Sequence, residues 1–226
     1  MLNTGSRFLK VNHAGEMGAV CIYSGQIFMA RLTAPSLVIR LQEFREHERG
    51  HREVFRAELA QRGVPLCRSY WLCAGGGWLL GLITGLLGQR AIATTTAAVE
   101  HVVLRHLDEQ LATLADQDPA ASACIGSILV EEQQHHDEWE GLAGGHWAYS
   151  LAPLVRLSTE AVIQLGLRSL IDAPLRRASQ VRRQPTGMPR RRRSPGFSPG
   201  QARQRTAGAL PGSPLNRCAA PPPPPG

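Results

Sequence analysis

No CxxC pair occurs among the five cysteines (Cys21, Cys67, Cys73, Cys124 and Cys218), and their odd number leaves one without a mate in any disulfide scheme. That usage points to a reducing compartment and argues against a zinc ribbon or a disulfide scaffold. Also missing are a Walker A run and a GxGxxG after a strand, so a nucleotide-phosphate cradle is not expected. Met1–Lys10 has no apolar run, and no Arg-rich, acid-poor leader precedes the first helical segment, so no cleavable targeting peptide is read. β-Branched alternation with hairpin turns is absent as well. The 226 residues suit one domain or slightly more, at about 100–200 residues per domain. A chain of that length buries about 70% of its surface, so no metal is needed merely to fold.

Acidic residues are lacking from Pro174 onward, where 11 of the 25 basic residues and 12 of the 16 prolines fall without one Tyr or Trp. The net charge of +7 therefore describes two objects: a part with 14 basic and 18 acidic residues, net −4, and a basic tail. The expected division is a folded domain over 1–172 and a disordered Arg/Pro-rich tail over 173–226, too poor in apolar surface to offset chain entropy. Arg190–Arg193 is read as solvated, with anionic lipid or non-specific nucleic acid as the alternatives.

What remains is helix after helix. Asn12–Leu32 carries apolar residues at helical spacing. Pro35 opens a second helix that runs to about Arg62 and stops at Gly63-Val64-Pro65. Gln89–Asp116 contains neither Pro nor Gly. Asp118-Pro119 supplies an N-cap and an N1 proline for a helix to about Leu142, and Leu151–Ile171 is a last amphipathic stretch. The fold class is all-α, a bundle. Tyr70–Gly88 stands apart as nineteen residues with no charge, and Gly77, Gly81 and Gly85 stripe one face. It reads as a helix lying in a membrane interface, with Tyr70, Trp71 and Trp78 at the headgroups. A tightly packed buried connector and a true membrane span are the alternatives.

Two Glu-x-x-His pairs carry the chemistry, Glu48 with His51 and Glu132 with His135. At i and i+3 the two side chains of a pair lie about 60° apart around a helix and share a face. Glu16 precedes Glu48 by 32 residues and Glu100 precedes Glu132 by 32, so the halves are offset by 84 throughout. That is the pattern of two helical hairpins related by a pseudo-two-fold, each giving one Glu and one Glu-x-x-His, as a di-iron carboxylate bundle requires. Glu100 sits among Ala97, Ala98, Val99, Val102 and Val103, a poor place for a carboxylate without a partner or a metal. Four carboxylates and two imidazoles suit iron or manganese. Six solvated residues at accidental spacing are the alternative.

His13-Ala14-Gly15-Glu16, Glu48-x-x-His51, Ala98-Val99-Glu100 and Glu131-Glu132-x-x-His135-His136-Asp137 together resemble the demethoxyubiquinone hydroxylase family, from about Arg7 to Glu140. The resemblance implies a ferritin-like four-helix bundle with two further apolar or amphipathic helices that contact a membrane. It implies that Glu16, Glu48, His51, Glu100, Glu132 and His135 hold two iron ions. It further implies an O2-dependent monooxygenase acting on a polyprenylated 6-methoxy-3-methyl benzoquinol, with an external electron donor such as NADH.

Peripheral attachment to the cytoplasmic face of a bacterial inner membrane is expected, rather than the matrix side of a mitochondrial one. Other ubiquinone-biosynthesis proteins are candidate partners, and no specific nucleic acid is expected. His106, near two turns beyond Glu100, is the candidate donor behind the ligands, or an exposed helical histidine beside Arg105 and Asp108. His47 is read as a surface residue. This chain has Met17 and Leu107 where the family pattern carries Tyr, and no Tyr between Leu151 and Pro174. The rival readings are another ferritin-like protein: a tRNA-modifying hydroxylase served by the basic tail, or an iron-binding ferroxidase.

Overall fold

A computed structural model describes residues 2–143 and 148–171. Every regular element among them is helical: α1 (Thr4–Thr33), α2 (Val38–Gln61), α3 (Tyr70–Leu86), α4 (Gln89–Leu114), α5 (Pro119–Leu142) and α6 (Ala152–Ile171). Short 3-10 turns at Pro35–Leu37 and Ala148–Leu151 precede α2 and α6. The expected Arg/Pro-rich tail and Arg190–Arg193 lie outside the described residues.

Local chemistry sets the boundaries. α1 begins eight residues earlier than its apolar periodicity suggests, because the Asn3 side chain accepts the Ser6 N–H at 2.9 Å and caps it. Asp118 caps α5 by accepting from Ala121 N at 3.1 Å, with Pro119 in the first turn. The same carboxylate takes two bonds from Arg62, at 2.6 and 2.9 Å, and one from Asn3 at 3.1 Å. One aspartate thus joins the starts of α1 and α5 to the end of α2, where Arg62 also bonds Glu58 at 2.7 Å. Gly88 ends α3 and starts α4 at φ 88° and ψ −173°, a region open in practice only to glycine.

α1 packs against α2 and α4 against α5, and α3 lies along α1. The glycine stripe makes that last contact. A Cβ on Gly81 would stand 2.9 Å from the Ile22 carbonyl carbon, and one on Gly77 would stand 3.1 Å from that of Gly18. Gly25 returns the contact, since its Cβ would meet the Trp78 carbonyl oxygen at 2.6 Å. Backbone therefore rests on backbone, which only the small residues of both helices permit. The opposite face of α3 leaves Trp71, Leu72, Trp78, Leu79, Ile83 and Leu86 exposed, Trp71 by 77%. Among the described residues no helix is long and apolar enough to cross a membrane.

Besides a smaller cluster of Ile22, Ala98, Val99 and Val155, two larger apolar clusters fill the interior. One gathers Tyr23, Ile27, Leu41, Phe44, Ile92 and Trp139; the other gathers Leu9, Phe55, Leu59, Leu107, Ile125 and Ile128. On each of α1, α2, α4 and α5, the Glu and His residues singled out by their spacing fall between the members of one cluster and those of the other. The bundle thus carries a polar layer between two apolar ones.

Candidate metal centre and its cavity

Glu16 of α1, Glu48 and His51 of α2, Glu100 of α4, and Glu132 and His135 of α5 all turn inward, and none is more than 5% exposed. His51 Nδ1 lies 2.7 Å from Glu132 Oε1, 3.8 Å from Glu48 Oε2 and 4.0 Å from Glu16 Oε2. His135 Nδ1 lies 3.3 Å from Glu48 Oε1 and 4.0 Å from Glu132 Oε2. Glu100 faces the same group, close enough to Glu132 and Glu48 for their charges to act on it. The arithmetic of 32, 84 and 32 residues becomes one buried cluster in space.

Its electrostatics are strained. Burial, then the charges of Glu132 and Glu48, pushes the Glu16 carboxyl well above the ordinary range, and burial with the same two neighbours does so to Glu100. Glu132 is held below its ordinary value: burial opposes this, but the His51 contact outweighs it. Burial pulls His51 down, yet Glu132, Glu48 and Glu131 more than compensate and lift it to about 9.

Among the described residues, Glu48 Oε1, both Glu132 oxygens, His51 Nδ1 and His135 Nδ1 have no aligned hydrogen-bond partner. Buried polar atoms left in that state cost several kcal/mol unless a cation or a donor meets them. One ligand atom each from Glu16, Glu48, His51 and Glu132 lies within 4.8 Å of the others, so the cluster could hold a metal ion. Carboxylate oxygen with imidazole nitrogen and no thiolate is a donor set for iron or manganese.

Each histidine is gripped from behind. Glu131 Oε2 accepts from His51 Nε2 at 2.8 Å, and His47 Nδ1 meets His135 Nε2 at 3.0 Å with the two rings stacked. Such backing fixes which nitrogen faces a metal. His47 is exposed, as expected of a surface residue, but it is also a partner of a buried histidine, which the sequence reading did not anticipate. Asp137 faces outward and bonds at 3.2 Å to the largely covered His136, whose ring lies against His101.

Glu16, Glu48, Glu100 and Glu132 form one end of a cavity of about 370 Å³. Its other walls are mostly apolar: Val11, Gly15, Ala19 and Ile22 of α1, Gly76, Gly77 and Leu80 of α3, Val99 and Val103 of α4, and Val162 and Ile163 of α6. Leu72, Leu79 and Ile83 line the cavity and are exposed on the outer face of α3 as well, so the chamber opens onto that apolar surface. His106 lines the wall, with Nε2 2.9 Å from Glu160 Oε2 of α6, and touches Glu109 at 3.8 Å. Its contacts thus run to α6 and to its own helix, and Glu160 is a site residue that no sequence signal marked. Asn12 and Gln110 close on each other across the same wall, at 2.7 and 3.1 Å.

A helical bundle that buries carboxylates and imidazoles at the end of an apolar chamber defines a class, the helical proteins built around a buried carboxylate–histidine cluster that could hold a metal ion. Comparison with known families narrows it. Residues 3–166 match the family described as "Ubiquinone biosynthesis protein COQ7", and the chain belongs to that family. Among curated relatives, the "NADPH-dependent 3-demethoxyubiquinone 3-hydroxylase, mitochondrial" of Homo sapiens is 31% identical over 73% of this chain and 74% of its own length. The protein of the same name from Dictyostelium discoideum is 30% identical over 73% and 74%. The "3-demethoxyubiquinol 3-hydroxylase" of Laribacter hongkongensis is 29% identical over 67% and 73%.

Proposed function

We propose that this chain hydroxylates the ring of a polyprenylated demethoxyubiquinol, using O2 and two iron ions held by Glu16, Glu48, His51, Glu100, Glu132 and His135. It is an oxidoreductase of ubiquinone biosynthesis, a hydroxylase of the monooxygenase type. The observation that carries the mechanism is the continuity of the buried ligand cluster with the apolar chamber. Oxygen chemistry needs a redox metal within reach of the ring, and the ring needs an apolar place to stand beside it. The metal pair supplies the activation of O2 when bound.

The protein's own residues do the rest. The four carboxylates and two imidazoles offer a charge and geometry that two divalent ions complete. Valine, leucine and isoleucine side chains around the chamber exclude water, which protects a reactive oxidant from side reactions. A volume of about 370 Å³ is in the range of small-molecule sites and suits a substituted benzoquinol ring. His106, the Asn12–Gln110 pair, Ser158 and Thr159 are polar groups on the wall that can meet its oxygens. The isoprenoid tail leaves by the gap at Leu72, Leu79 and Ile83 and stays in the bilayer.

This reading takes the fold as ferritin-like and the outer faces of α3 and α6 as the membrane contact, held at the surface by the exposed aromatic and aliphatic side chains. The membrane is proposed to be a bacterial inner membrane, cytoplasmic face. The electron donor is proposed to be external, NADH or, as the names of the human and Dictyostelium relatives specify, NADPH.

The test is mass spectrometry of the quinones in a host that lacks its own hydroxylase and expresses this chain. Conversion of the demethoxy precursor to a product one oxygen heavier is expected. Persistent precursor beside folded, iron-loaded protein would overturn the substrate assignment.

A further inference from the structure

The two residues that back the histidines occupy equivalent places in the two halves of the chain. His47 immediately precedes ligand Glu48, Glu131 immediately precedes ligand Glu132, and the two are 84 residues apart, the offset that relates the ligands themselves. Each reaches across to the other helix: His47 of α2 meets Nε2 of His135 on α5 at 3.0 Å, and Glu131 of α5 meets Nε2 of His51 on α2 at 2.8 Å. The positions repeat, but the chemistry does not. A carboxylate is an anionic acceptor, and a hydrogen bond to it is roughly twice as strong as one between neutral groups. It draws the Nε2 proton of His51 and leaves Nδ1 the richer donor. His47 offers His135 only the lone pair of another ring.

We propose that Glu131 and His47 are positioning residues that make the two metal positions unequal, so that the position bearing His51 takes its ion first and more tightly than the position bearing His135. This rests on the two-ion reading above. Outer partners of metal-bound histidines typically change affinity 10–100-fold, which is the size of the gap expected between the two steps. Both side chains are largely exposed, Glu131 by 56%, so they can be exchanged without opening the core.

Anaerobic calorimetric titration of the full-length, metal-free protein with Fe(II), repeated with Mn(II), reads the two steps directly. The wild type is expected to show two ions with affinities at least 10-fold apart. E131Q, which keeps shape and removes the anion, narrows that gap, whereas E131D restores it; H47A widens it by weakening the second step alone. Two ions bound with one affinity in the wild type, or a gap that E131Q leaves unchanged, overturns the inference while sparing the two-ion reading. Uptake of fewer than two ions by the wild type overturns both.

Discussion

Nε2 of His106 lies 2.9 Å from Oε2 of Glu160, which also pairs with Arg105, and this contact ties α6 to α4 along the wall of the cavity. Gln164, one turn on, also bonds Glu160, at 2.9 Å. The pair holds His106 at the wall and fixes the side of the chamber that α6 forms.

Glu160→Ala is therefore expected to loosen α6 and free the His106 ring. The hydrogen bond is charge-assisted and partly buried, so the loss amounts to about 1–2 kcal/mol. In kinetics kcat/KM should fall about 10-fold, with iron content unchanged because none of the six proposed ligands touches Glu160. Glu160→Gln, which still accepts from His106, should recover most of it. Steady-state assay and metal analysis on the same preparations check both halves.

Glu100→Leu separates metal binding from stability. Burial and the charges of Glu132 and Glu48 disfavour this carboxylate in the metal-free protein. An apolar side chain of similar size should stabilise the metal-free form by about 1–3 kcal/mol. The same variant should lose at least one of two irons. Thermal unfolding without metal, set beside iron analysis after loading, is the check; a metal-free form no more stable than wild type would count against the electrostatic account.

Acid sensitivity has a named source. His13 is almost wholly buried, its ring stacked on Tyr70 with centroids 5.3 Å apart, and neither ring nitrogen has a partner among the described residues. Burial first, and then the nearby charge of Arg52, lowers it from 6.5 to about 4. An imidazole harder to protonate in the folded chain than in the unfolded one contributes stability that is whole above about 6.5 and declines as pH falls toward 4. His13→Phe keeps the stacked ring and should flatten the stability profile between pH 6.5 and 4. Denaturant melts at a series of pH values measure it.

The outer face of α3 makes a prediction of its own. Trp71→Glu with Trp78→Glu places charge on exposed positions and leaves the glycine contact with α1 untouched. Sedimentation with phospholipid vesicles should drop several-fold, and the far-ultraviolet circular dichroism should stay the same.

Much of this was legible in the sequence because helices convert spacing into position. The Asp118-Pro119 cap and the ends of α2 and α5 followed from local residues, whereas Pro35 opens a 3-10 turn and α2 itself begins at Val38; the repeated 32-residue interval with the i,i+3 rule put six side chains into one layer. The glycine stripe of α3 could be read as burial or as membrane contact; the structure packs the glycines against α1 and leaves the tryptophans and leucines of the opposite face exposed. His47 was read as a surface residue and Glu131 as a neighbour of the second motif that could in principle be a ligand, neither as a partner of a histidine; the same 84-residue offset that paired Glu16 with Glu100 would have paired these too. Glu160 carried no signal at all. Its bond to His106 spans 54 residues between helices whose relative rotation no periodicity determines.

The most direct test of the account is the origin of the added oxygen atom. Purified, iron-loaded protein is given a demethoxyubiquinol, a reductant and 18O2 in ordinary water, and the quinone product is weighed. The account predicts a product carrying one atom of 18O from the gas and none when the label is instead in the water. Label arriving from water, or oxygen consumed with iron oxidised and the ring unchanged, would contradict it.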